Sequence, residues 1–180
     1  MALERPTNQP GQTGGAGAQQ RAPQRRQKKQ TEYAIQLGEK QKTRNAYELR
    51  EKQFRGYFNQ AAKFRGQTGT VLLQLLERRL DNAIFRAGLA KTRSQARQLV
   101  SHRHFRVNGK RVDIPSILVK VGDEIEAHKR TTITHEAELK PADWLKVDAK
   151  KATFKVERLP EEADLPIEFD TQKIIEFYSR

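Results

Sequence analysis

Cysteine is absent from the 180 residues. That excludes a disulfide framework, a thiolate metal site and a thiol nucleophile. No run approaches the ~20 apolar residues that a spanning helix needs. Neither end carries a lipidation signal, and the N-terminus lacks the apolar core of a secretory signal. The cytoplasm is therefore the default expectation, and a membrane is not an expected partner. Acid is also scarce. Lys and Arg number 35 against 22 Asp and Glu, a net charge of +13. Such a balance speaks of partners and solubility rather than fold, and nucleic acid is its commonest partner. The length suits one domain or two small ones.

The positive charge is unevenly placed. Residues 1–70 hold 14 Lys/Arg against 5 Asp/Glu, residues 71–130 hold 13 against 6, and residues 131–180 hold 8 against 11. Residues 1–30, rich in Gly, Gln, Pro and Arg, have almost no large apolar side chain to offset the entropy of ordering. They read as a flexible basic arm ending in Arg25, Arg26, Lys28 and Lys29. Gly14, Gly15 and Gly17 are not a phosphate loop, since no GK[ST] follows and no strand precedes them.

From Thr31 the pattern turns helical, with Tyr33, Ile35 and Leu37 as the first apolar contacts. A second helix is expected from about Lys42 to Arg65. Its stripe of Tyr47, Phe54, Tyr57, Phe58, Ala61 and Phe64 reads as core. Lys42, Arg44, Arg50, Lys52, Arg55, Lys63 and Arg65 fall on the other face, and Gly66 ends the helix. A third helix is expected from Val71 to Ala87, capped by Thr68 or Thr70 and closed by Gly88. Its leucines fill more than one stripe, so it should bridge two packing units, and Asp81 is expected to pair with Arg78.

The stretch TRSQARQLVSHRHFRVNGKRVDI, Thr92 to Ile114, is a capped short helix followed by a hairpin. Thr92 and Gln95 have the capping-box form. Ala96, Leu99 and Val100 make the apolar stripe, and Asn108-Gly109 is a type I′ turn signal. Further strands are expected at Ile117–Val121 and Glu124–Ala127. Arg93 and Arg97, four apart, should line one exposed face. Lys91, His102, Arg103, Arg106, Lys110 and Arg111 fall around the same unit, which has no acid between Ile84 and Val112. Ordinary solubilising surfaces mix signs, so this face reads as a nucleic-acid contact.

The segment RLDNAIFRAGLAKTRSQARQLVSHRHFRVNGKRVDIPSILVKVGDEIE resembles the small RNA-binding module named after bacterial ribosomal small-subunit protein four. Upstream, YAIQLGEKQKTRNAYELREKQFRGYFNQAAKFRGQTG is similar to the helical body of that family. So is the end of the chain, from WLKVD at Trp144 to IIEFYSR at Arg180, to its C-terminal segment. The likeness is collinear over about residues 31–180.

The resemblance implies an α+β protein: a mainly helical domain with an inserted module of two helices and a short antiparallel sheet. The implied division is an arm at 1–30, helical domain at 31–78, module at 79–142, and a C-terminal segment at 143–180 that returns to the helices. Ile167, Ile174, Ile175, Phe177 and Tyr178 would close the helical domain, with Glu161, Glu162 and Asp164 facing solvent or protein neighbours.

It also implies a structural ribosomal protein without catalytic activity or cofactor. Such a protein binds the 5′ domain of 16S rRNA early in small-subunit assembly. It touches small-subunit protein five and lies where mRNA enters, affecting decoding accuracy. The implied contacts are Lys42, Arg44, Arg50, Arg55, Lys63, Arg65, Arg86, Lys91, Arg93, Arg97, His102, Arg103, Arg106, Lys110 and Arg111. Arg79 and Asp81 match the module's Arg-Leu-Asp and read as structural. Some family members hold zinc with N-terminal cysteines, which this chain lacks, so no metal is expected. The rival readings are an RNA-modifying enzyme, with Asp81 as its catalytic residue, and an RNA chaperone using the same module.

Overall fold

In the computed structural model, residues 31–64, 66–128, 140–148 and 150–179 are described. The arm, Arg65 and the segment 129–139 lie outside the described residues. Thr31 starts α1 (Glu32–Ala46) by accepting from the Ala34 amide at 3.3 Å. The buried stripe of α1 is polar: Gln36, Lys40 and Thr43, spaced four and three apart. Each has a partner. Gln36 donates to Glu176, Lys40 to Glu51, and Thr43 to the Glu39 carbonyl. Tyr33 and Ile35, expected as the first apolar contacts, stay 50% and 37% exposed.

The expected helix 42–65 is two helices. The chain leaves α1 through Glu48 at φ 52°, and α2 (Glu51–Ala61) begins after an extended Arg50. Tyr47 and Leu49 are both buried in the same cluster. Residues two apart on a continuous helix point about 200° away from each other, so burying both requires the break. Helix α2 ends at Ala61, before the expected stop at Gly66.

The expected helix 71–87 is also divided, into α3 (Thr68–Glu77) and α4 (Leu80–Arg86). Gln67, rather than Thr68 or Thr70, takes the N-cap position of α3. Arg79 is extended between α3 and α4 and bridges Leu118. The segment 115–119 binds this bend: the Val119 amide donates to the Arg78 carbonyl, and the Leu80 and Asp81 amides donate to the Ile117 and Pro115 carbonyls. Those carbonyls and amides are engaged at the bend, so the strand expected at Ile117–Val121 is reduced to one bridge. The bridging role holds nevertheless. Leu72, Leu73, Leu75 and Leu76 join one buried cluster, while Leu80, Ala83, Ile84 and Ala87 join another.

Helix α5 (Arg93–Ser101) is capped by Thr92, which accepts from the Gln95 amide at 3.1 Å. The Gln95 side chain accepts from the Lys91 amide, one residue earlier than expected. Strands β1 (Phe105–Val107) and β2 (Lys110–Val112) form the hairpin, with Asn108 and Gly109 at φ 50° and 77°. β3 (Glu124–Ala127) pairs with β1. Two further strands, β4 (Leu145–Asp148) and β5 (Thr153–Val156), complete an antiparallel sheet of order β2-β1-β3-β5-β4.

Trp144, Leu145, Phe154 and Val156 belong to the module's cluster. The segment 143–180 therefore divides. Its first part extends the sheet, and only Leu165, Phe169 and α6 (Thr171–Tyr178) join the helices. Ile174 is fully buried there, whereas Ile167, expected in the same core, is fully exposed. Asp164, expected at the surface, is mostly buried and paired with Arg158.

Phe154→Ala should cost about 3–5 kcal/mol in urea unfolding, while Ile167→Ala should stay within about 0.5 kcal/mol. A loss below about 1 kcal/mol at Phe154 contradicts a core that includes β5. The Arg158 guanidinium beside Asp164 holds its carboxyl below the ordinary 3.8. Its folded pKa is lower than its unfolded one, so this stabilisation is complete above pH about 4 and lost as pH falls through the folded value. Asp164→Asn should flatten the fall of the unfolding midpoint below pH about 4 and lower the plateau above it; an unchanged acid limb contradicts the assignment.

Candidate nucleic-acid interface

The bend between α3 and α4 carries two buried carboxylates, Glu77 and Asp81. Glu77 accepts from the Tyr47 hydroxyl at 2.6 Å, from the Asn82 amide side chain at 2.9 Å, and from Arg86 at 2.8 and 2.9 Å. Burial, and then the Glu77 carboxylate, pushes the Tyr47 hydroxyl pKa well up. Asp81 accepts from Arg79 at 2.9 and 3.1 Å and from Arg97 at 2.9 and 3.1 Å. The expected Asp81–Arg78 pair is not formed; Arg78 donates to the Val119 carbonyl instead. Burial lowers the Arg79 pKa, but Asp81 more than offsets this and leaves it raised.

Arg93 and Arg97 do not line an exposed face. Arg97 reaches from α5 past Asp81 to the carbonyls of Tyr47 and Glu48 in the α1–α2 turn. Arg93 donates to Asn82 at 2.7 Å, with its guanidinium 4.8 Å from the Tyr47 ring and 4.6 Å from the Phe85 ring. Both tie the sheet-bearing part to the helices. The periodicity placed them correctly off the apolar stripe. It did not show that the α1–α2 turn covers that side of α5.

The remaining cations fall into two groups. Lys42 donates to the Glu168 carbonyl, and Arg44 pairs with Glu51 at 3.1 Å. Arg86 is held by Glu77, Arg103 pairs with Asp113 at 2.7 Å, and Arg106 faces Glu126 at 3.6 Å. By contrast Arg50 just before α2, Arg55 on it and Lys63 just after it, and Lys110 and Arg111 on the edge strand β2, are exposed without an ion pair among the described residues. His102 is exposed with its ring 6.2 Å from that of His104, and Lys91 is exposed at the start of the α5 cap.

Sequence reasoning missed one feature, a groove between α2 and the turn at Pro115 and Ser116. A cleft of about 280 Å³ is lined by Glu48, Arg50, Gln53, Arg79, Arg97, Pro115 and Ser116. An adjoining cleft of about 320 Å³ shares Gln53, Arg79 and Ser116 and adds Gly56, Tyr57 and Gln60. The signal was present: Gln53, Gly56, Tyr57 and Gln60 recur at i, i+3, i+4 and i+7, one face of a helix. The apolar stripe predicts core alone for Tyr57, yet its hydroxyl accepts from Arg79 at 2.6 Å. Among the described residues, no group of three or more His, Asp or Glu could hold a metal ion.

Two family models match. The S4 domain covers residues 78–125, and the ribosomal protein S4/S9 N-terminal domain covers residues 4–77. Small ribosomal subunit protein uS4 of Herpetosiphon aurantiacus is 46% identical, over 99% of this chain and 86% of that protein. The chain belongs to the uS4 family. The uS4 protein of Persephonella marina is 50% identical over 87% of this chain and 80% of its own. That of Thermus thermophilus is 43% identical over 99% and 85%. The uS4 family consists of structural ribosomal proteins, not enzymes. Asp81, the residue on which the rival enzyme reading turns, is buried with both oxygens accepting from Arg79 and one also from Arg97.

Glu77→Ala should lower stability by about 3–5 kcal/mol, since it leaves Arg86 without its carboxylate and Tyr47 without its acceptor. Asp113→Ala, which breaks only the exposed pair with Arg103, should cost at most about 1 kcal/mol. Urea midpoints of the two variants measure the difference; equal losses contradict the division of the arginines into buried struts and surface groups.

Proposed function

We propose that this protein binds the 5′ domain of 16S rRNA, helps nucleate assembly of the small ribosomal subunit, and contributes to translational accuracy near the channel through which mRNA enters. It works in the cytoplasm, beside neighbouring small-subunit proteins that include small-subunit protein five. The observation that carries this reading is the set of exposed cations at and around α2 and on β2 that have no carboxylate partner among the described residues, in a chain collinear with uS4 proteins. Arg50, Arg55, Lys63, Lys110 and Arg111 are its contacts, with Lys91 and His102 beside them. Structured RNA is read through backbone shape and 2′-hydroxyls more than base edges, and flexible exposed cations on two elements suit that task. Arg65 remains a proposed contact from its sequence position.

Arg44, Arg86, Arg93, Arg97, Arg103 and Arg106 already hold partners in the protein, so their part is first to shape the surface. Lys42 anchors the C-terminal segment in the same way.

The test is binding to a 5′-domain transcript across a salt series. With 6–10 phosphates neutralised, affinity should fall by roughly 10³–10⁵ between 50 and 200 mM salt on the duplex scale. Lys110→Ala with Arg111→Ala should reduce the salt slope by about 1–2 and leave the urea midpoint unchanged. A flat salt response in the wild type contradicts the reading.

A further inference from the structure

The groove beside α2 has a charge balance and a donor set that the fold itself does not use up. Arg50, Arg79 and Arg97 line its first cleft with Glu48, and Asp81 lies behind them. Two guanidinium groups thus share the single Asp81 carboxylate, and Arg50 adds a third positive charge at the mouth. Against Asp81 and Glu48 this leaves one positive charge over, the complement of one phosphodiester. A guanidinium carries five N–H groups. Arg79 gives two to Asp81 and one to Tyr57, which leaves two at the boundary that both clefts share. The Arg50 guanidinium has no ion-pair partner among the described residues.

The second cleft differs in chemistry. Gln53, Tyr57 and Gln60 offer amide and phenol groups, which both donate and accept. They suit a ribose 2′-hydroxyl and a base edge, not a second phosphate. A stacked duplex keeps its base edges inside the helix. A recess of this kind is filled by an unpaired nucleotide turned out of the stack. The walls are held before any ligand arrives: Arg97 is fixed by Asp81 and two carbonyls, and the Pro115 carbonyl accepts from the Asp81 amide. Such preorganisation lowers the cost of binding.

We propose that the groove between α2 and the Pro115–Ser116 turn seats one unpaired RNA nucleotide, its phosphate against Arg50, Arg79 and Arg97 and its ribose and base against Gln53, Tyr57 and Gln60. This deepens the reading of the protein as an rRNA binder and rests on it. Glu48 at the rim disfavours a second phosphate and sets the stoichiometry at one. Arg79 and Arg97 serve the fold and the groove together, and Gln53 also accepts from the Arg50 amide at the start of α2, whereas the exposed Arg50 and Gln60 side chains serve the groove alone.

The experiment uses the full chain and a 16S rRNA 5′-domain transcript. Arg50→Gln should weaken binding about tenfold, the scale of a lost hydrogen bond to a charged group, and lower the salt slope by about 1. Gln60→Leu should weaken binding roughly fivefold, the scale of a neutral hydrogen bond, with the slope unchanged. A photo-crosslinker at position 60 should mark a single unpaired nucleotide. Urea midpoints should match the wild type in every variant, which separates binding from folding. If the wild type binds with steep salt dependence while these variants bind equally well, the groove assignment is overturned and the rRNA reading stands. A crosslink confined to paired nucleotides overturns it equally. If the wild type itself fails to bind, the underlying reading falls first.

Discussion

Glu77 and Asp81 lie four residues apart across the bend between α3 and α4, and the rest of the molecule is organised by the guanidinium groups they hold. Each carboxylate is almost wholly removed from water. Alone, either would carry a desolvation cost of several kcal/mol, and replacing such pairs by apolar residues is often neutral or stabilising. Their net worth is therefore not simple stability. What they supply is direction. Glu77 gathers Tyr47, Asn82 and Arg86, while Asp81 gathers Arg79 and Arg97. Those partners come from the α1–α2 turn, the bend itself, α4 and α5, so one network of charge-assisted bonds fixes these parts against one another.

This arrangement sorts the basic residues by what they can do. A chain with a net charge of +13 has cations to distribute. Those that meet a buried carboxylate or a carbonyl become struts, and those on the outer face of α2 and on β2 keep their charge available to a polyanion. The groove beside α2 stands where the two sets meet. Its floor is made of struts and its mouth of an exposed arginine. A change in the network should therefore be felt at the proposed RNA surface even though Glu77 is fully buried.

Much of this was legible in the sequence. The Thr92 cap, the Asn108-Gly109 hairpin and the strand at Glu124–Ala127 are local signals, and they appear where local chemistry put them. The α+β class and the family followed from collinear motifs. The helix breaks at Glu48 and Arg79 did not, because both depend on contacts with distant residues: the shared burial of Tyr47 and Leu49, and the backbone bonds from 115–119. Periodicity also fails for long basic side chains. It told that Arg93 and Arg97 avoid the apolar stripe, but an arginine stem covers apolar surface and carries its charged end well beyond its own helix. Strands β4 and β5 were hidden for a related reason. Their register with β3 is a tertiary fact, and the alternation within four residues is too short to announce it.

The central claim is that the carboxylate–arginine seam makes one cooperative unit of two cores, and the aromatic residues allow a direct measurement. The only tryptophan, Trp144, is buried in the sheet-bearing cluster, while Tyr47, Tyr57 and Tyr178 pack in or against the helical cluster. Urea unfolding followed in parallel by tryptophan fluorescence and near-ultraviolet tyrosine signal should give one coincident transition for the wild type and two separated transitions for Arg97→Ala. Separate transitions in the wild type, or coincident and unshifted ones in the variant, contradict the account.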